Sequence, residues 1–263
     1  MSMHNKYIFY ILVANVLWSF TPILASDLIQ STSILMIILL RFLLSGIVLF
    51  LIGLIIVVYN NRYTSQQKIS LSEVFSFLWA KNRDFNNLRN LLYLFLLGFI
   101  GIFLHIFGYF LTLKLTSISF AMIGFQLTII MVASYEHGVR LEKLDLFKML
   151  YLLILIFCIF IIMFVKLQGP SQTLGSISLI SIFYLILFSI CLTFFLVGID
   201  KDSYTKDEIM VLNKNPTYKI VRMLIKISFI FFFAILSMFP FTFIFYLFPI
   251  EINLFEEITY FLS

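Results

Sequence analysis

Asn15, Trp18, Arg41, His105 and Gln126 stand inside long apolar runs, and they are the side chains through which this chain could handle a solute. Two amides, an indole, a guanidinium and an imidazole offer hydrogen bonds, a flat apolar face, a fixed charge and a nitrogen that titrates near pH 6.5. That is the chemistry of binding, not of bond breaking. Acid–base catalysis needs paired groups. The sequence has no Gly-rich phosphate loop, no Ser/His/Asp arrangement and no cluster of His, Cys, Asp and Glu. No catalytic residue, cofactor or metal is therefore expected. Cys158 and Cys191 lie within apolar runs without metal-ligand or disulfide spacing, and both read as small packing residues.

Each candidate carries two readings. A charge at the centre of a membrane helix costs about 2.5–3.5 kcal/mol on insertion scales. Arg41 lies a few residues inside one end of its run, so snorkelling lowers that cost. It is either a structural arginine or a contact for an anionic substrate group. His105 shares a stripe with Gly98, Gly101, Gly108 and Thr112, at alternating three- and four-residue steps. The glycines let another helix approach closely. His105 is then a hydrogen-bonded packing histidine or a group for substrate or proton coupling. Asn15, Trp18, Ser19 and Pro22 share one face of the first run, with Trp18 as a packing anchor. Ser119 and Gln126, seven apart, share one face of the fourth. Amides in lipid need partners, through interhelical hydrogen bonds or a lined cavity. Glu142 pairs with nearby bases or takes part in gating.

The elements that position these residues follow from composition. Hydrophobic residues make up 62% of the 263-residue chain and charged ones 12%, with mean hydropathy +1.08. Soluble domains carry roughly 25% charge, so the solvent here is lipid. The net charge of +5 sits between apolar runs, which points to membrane topology and not to nucleic acid. Seven stretches are long enough to cross: 7–25, 33–58, 91–113, 117–135, 147–165, 174–197 and 224–250. Only helices satisfy their own backbone in lipid. The expected fold is an all-α polytopic transmembrane bundle of about seven spans. Pro240 would kink the last of these. The first run is expected to be retained and not cleaved as a signal peptide, since Ile23-Leu24-Ala25 lacks a small-x-small site.

Fifteen basic residues fall at the N-terminus or in segments 59–90, 136–148 and 198–226, against two, Lys114 and Lys166, on the other side. By the positive-inside rule the N-terminus and those segments are cytoplasmic and the acidic C-terminal tail is outside, in a plasma membrane. Ser70 and Glu73 have capping-box spacing. Leu71, Val74, Phe75, Leu78 and Trp79 then form the stripe of a short amphipathic helix in the inner interface. Residues 200–219 read as a mobile polar loop, and the Phe-rich stretch 229–233 as lipid-facing filler.

Four stretches resemble the EamA-type transporters of the drug/metabolite transporter superfamily. The first span reads Asn15-Val16-Leu17-Trp18-Ser19-Phe20-Thr21-Pro22, the second Leu40-Arg41-Phe42, and the fourth opens Thr116-Ser117-Ile118-Ser119-Phe120-Ala121. Glu142 precedes the fifth. The resemblance covers residues 7 to 165, with a weaker continuation through 174–197. It departs where the family has a proline, near Ile129, a glycine, near Tyr151, and a lysine after the first helix, here Ser26 and Asp27. The resemblance implies two inverted five-helix repeats: residues 1–170 as the first, with a cytoplasmic loop at 59–90, and 171–263 as part of the second, with a loop at 198–223. Helices eight to ten are missing. The chain is then a fragment, or it assembles with a second copy or partner chain, or it no longer transports. The implied function is movement of a small metabolite by alternating access, through a cavity among helices one to four and six to seven. The nearest functional neighbours are small-metabolite or amino-acid exporters. The expected partners are the lipid bilayer and a small-molecule substrate. A non-transporting integral membrane subunit is the alternative.

Overall fold

The computed structural model describes residues 20–21, 23–29, 31–63, 68–75, 87–138, 146–168, 179–200, 215 and 217–247. Every regular element among them is helical. We label them α1 (Ile34–Tyr63), α2 (Leu71–Val74), α3 (Asn87–Leu96), a π-helical segment (Leu97–Leu104), α4 (His105–Leu115), α5 (Ile118–Gly138), α6 (Leu146–Gln168), α7 (Leu179–Asp200) and α8 (Thr217–Leu247). Five spans are long and apolar enough to cross a membrane: Ile34–Tyr63, Asn90–Leu115, Ile118–Gly138, Ile180–Ile199 and Thr217–Phe243. They coincide with the second, third, fourth, sixth and seventh apolar runs. The fifth run lies in α6, where Met149–Ile159 is apolar. Residues 23–29 are helical at the end of the first run. Asn15 and Trp18 lie outside the described residues, as do Leu78, Trp79 and Glu142.

Packing divides the chain into two compact units, one of Met1–Ile37 with Phe107–Ser189 and one of Ile38–Ile106 with Ile190–Ser263. In the second unit α8 is the spine, packed on the π segment, α3 and α2. Glycines set the approach. A Cβ at Gly98 would lie 2.7 Å from the Ile230 carbonyl oxygen and 2.8 Å from the Ala234 nitrogen, so the two backbones touch there. A Cβ at Gly101 would lie 2.7 Å from Cβ of Phe195 on α7. Gly46 and Gly53 of α1 meet Phe232 and Ile225 of α8 in reversed order, which makes these two helices antiparallel. Ser228 Oγ donates to the Gly46 carbonyl at 2.7 Å.

Three expectations change in this unit. The third run is not one regular α-helix: residues 97–104 widen into a π turn where Gly98 and Gly101 meet their neighbours. The Phe-rich stretch is not mere filler. Phe229 packs on Phe75 at 5.9 Å, Phe233 on Phe95 at 6.2 Å, and Phe42 on Phe231 at 5.1 Å between ring centroids. Finally, Val74 is fully buried and Phe75 also touches Phe50, so this part of the 71–79 stripe packs on protein.

In the first unit Phe188 of α7 is wedged between two glycines. A Cβ at Gly108 would lie 3.1 Å from Phe188 Cβ, and one at Gly124 would run into the ring. Tyr109 and Phe125 flank the same ring at 5.7 and 5.6 Å. Beneath it, Ser189 Oγ donates to the Gly124 carbonyl at 2.9 Å, and Thr128 Oγ1 reaches the Ser189 carbonyl at 3.3 Å. Such interhelical bonds are worth about 0.6 kcal/mol on average and up to about 1.7. Ser189→Ala should therefore lower stability by about that amount in an SDS unfolding titration. An unchanged midpoint would show that the Ser189 hydroxyl adds nothing to the α5–α7 contact, leaving it to Phe188 and the Thr128 bond to the Ser189 carbonyl.

Candidate functional site

Ser117 starts α5: its hydroxyl accepts the Phe120 N–H at 3.4 Å, and its carbonyl accepts the Ala121 N–H at 3.0 Å. That start fixes the phase of the helix. Gly124 and Thr128 turn toward α7, while Ser119, Met122, Ile123 and Gln126, at positions i, i+3, i+4 and i+7, form a second stripe. α6 offers a matching stripe of Tyr151, Ile154, Leu155, Cys158 and Ile159. Only seven residues separate the two helices in sequence, which makes them antiparallel neighbours. The two stripes enclose a groove of about 270 Å³, just under the usual size of a small-molecule site. Its floor is Ile123, Leu155 and Ile159, all buried. Its rim is Ser119, Met122, Tyr151, Ile154 and Cys158, all exposed, with Gln126 half-buried between.

No described residue lining the groove carries a charge. Its polar groups are the Ser119 hydroxyl, the Gln126 amide and the Tyr151 phenol, and none of the three has a hydrogen-bond partner among the described residues. The pairing of Ser119 with Gln126 was legible as a seven-residue spacing. Tyr151 and Cys158 were not picked out. Cys191 is buried, as a packing residue should be, but Cys158 is exposed on the rim. A groove built from the fourth and fifth helices also brings in α6, which the expected cavity left out.

Arg41 and His105 belong to the second unit. Arg41 is half-buried near the start of α1, its guanidinium carbon 5.9 Å from the centroid of the neighbouring Phe42 ring, within cation–π range. His105 is buried at the end of the π segment, where its backbone N–H donates to the Ile102 carbonyl. The glycines of its stripe do make close contacts, and Thr112 turns its hydroxyl back to the Gly108 carbonyl at 2.8 Å.

Further buried polar residues of that unit lie on α8 and at its start. By their place in segment 198–226, Arg222 and Lys226 read as cytoplasmic bases. α8 starts at Thr217, ahead of its apolar run, and buries both, at 2% and 6% exposure. Asn215 caps the start: its side-chain oxygen accepts the Thr217 N–H at 3.0 Å and its amide donates to Asn60 Oδ1 at 3.3 Å. Asn61 clamps Ile69 through two bonds of 2.8 and 2.9 Å. The available signal was Asn215 followed by Pro216, a cap-then-proline helix start.

Residues 5–164 match the model of a family described as the EamA-like transporter family. No curated protein and no solved structure matches the chain.

Proposed function

The chain belongs to the EamA-like transporter family, a family of membrane transporters, and from that premise we propose that it carries a small metabolite across the cell membrane by alternating access, with Gln126 in the path. Gln126 carries the reading. It sits about 12 Å along α5 from the helix start, at 1.5 Å per residue. An amide at that depth without a partner costs several kcal/mol in hydrocarbon. A polar group kept there, facing a groove, is accounted for by a solute or water that meets it. Basic segments 59–90, 136–148 and 198–226 on the inner side complete the topology, and no covalent chemistry is part of the cycle. Asn15, Trp18, Arg41 and His105 are further candidates for solute contact.

The test is flux in vesicles holding the full chain, across a panel of metabolites. The transported solute should move at least tenfold more slowly with Gln126→Leu at equal protein amount. Wild-type flux in that variant, or no solute moving above empty-vesicle background, would count against a transport path at Gln126.

A further inference from the structure

We infer that the groove between α5 and α6 takes an uncharged amphipathic solute, with a head that both donates and accepts hydrogen bonds and an apolar body. As a statement about binding it stands on the groove alone; as a statement about cargo it rests on the transport reading above.

The lining decides the class. A charged head brought into this groove would lose its hydration and meet no counter-charge among the nine described residues that line it, none of which is Asp, Glu, Lys, Arg or His. Burying an unpaired charge is far costlier than burying a hydrogen-bonded neutral group. A wholly apolar solute would offer nothing to the Gln126 amide, which has no hydrogen-bond partner among the described residues. A neutral head resolves both. The amide offers a carbonyl and two N–H donors, and Ser119 and Tyr151 each offer a hydroxyl that donates and accepts. The body is then met by Met122, Ile123, Ile154, Leu155 and Ile159. A volume of about 270 Å³ suits a small single-ring molecule. Free amino acids, zwitterions at neutral pH, do not fit that lining.

Cys158 on the rim provides a reporter, because the chain has two cysteines and the other, Cys191, is buried. The full chain carrying Cys191→Ala is placed in nanodiscs and treated with N-ethylmaleimide, and modification of Cys158 is timed by mass. Three probes of one shape are compared at pH 7.4: benzamide, benzoate and benzylammonium. Benzamide should slow modification at least threefold at saturation, and the two ions should not. Gln126→Leu should remove the protection, each variant being compared with its own rate in the absence of probe, and Tyr151→Phe should weaken it. Equal protection by an ion, protection that survives Gln126→Leu, no protection by any probe, or a Cys158 that never reacts would each overturn the inference, the last by showing a groove filled with lipid. The two readings fail separately. A charged solute transported through Gln126 with no benzamide protection keeps the transporter and removes the solute class. Benzamide protection without flux of any metabolite keeps the binding site and removes transport.

Discussion

Gly98→Leu is expected to abolish a folded, monodisperse protein. The obstacles to a side chain at this position are main-chain atoms of α8, the Ile230 oxygen at 2.7 Å and the Ala234 nitrogen at 2.8 Å from an ideal Cβ, with Phe233 Cβ at 2.9 Å. A flexible side chain can turn away from an intruder; a helix backbone moves only with the whole helix. Overpacking typically costs about 1–3 kcal/mol and sometimes more. Gly98→Ala should fall near the top of that range, and leucine beyond it. Gly138→Ala is the matched control, since nothing lies within 4 Å of the added Cβ. Size-exclusion profiles in detergent and SDS unfolding midpoints would check this. A Gly98→Leu protein that elutes and unfolds like wild type would mean that α8 does not touch the π segment as described.

Arg222→Ala is expected to cost about 2–5 kcal/mol, the range found when a large side chain in a packed core is truncated to alanine. Arg222 is almost fully buried, Lys226 follows one turn later on the same helix, and neither is without a partner. Two cations on one helix face repel. Truncating Arg222 removes the packing of its buried stem and leaves a cavity. Arg222→Lys should lose less, keeping the charge but not the planar fork of donors. Lys219, three residues earlier and exposed, provides the contrast, and Lys219→Ala should change stability by no more than about 0.5 kcal/mol. If the Arg222 and Lys219 variants unfold at the same SDS concentration, the buried placement of Arg222 is refuted.

Residue type alone misplaces side chains in α8. Phe229–Phe233 and the bases ahead of the last run were assigned by type, aromatic to lipid and cation to water. The second inference assumes that an element starts where its hydropathy starts. α8 begins at Thr217, before the apolar run, because Asn215 supplies a cap. That earlier start carries Arg222 into a packed helix. By contrast, the Gly98–His105 stripe and the Ser119–Gln126 pair were found by spacing, which is a property of the helix itself. Tyr151 was noticed only as a departure from the family pattern, and Cys158 only as a small residue. Their place opposite Gln126 and Ser119 depends on how α6 is rotated.

What the sequence by itself determined is the solvent, the backbone and the approximate number of crossings. Apolar content and run length act locally, and hydrocarbon allows a lone segment no form but the helix. Only the tertiary structure decided which faces meet. In lipid the outward and inward surfaces of a span are equally apolar, so hydrophobic periodicity, which orients helices in water, says little about rotation here. Orientation passes instead to the glycines that admit a neighbouring backbone and to the few polar groups that find partners, and Gln126 stands out because it finds none among the described residues.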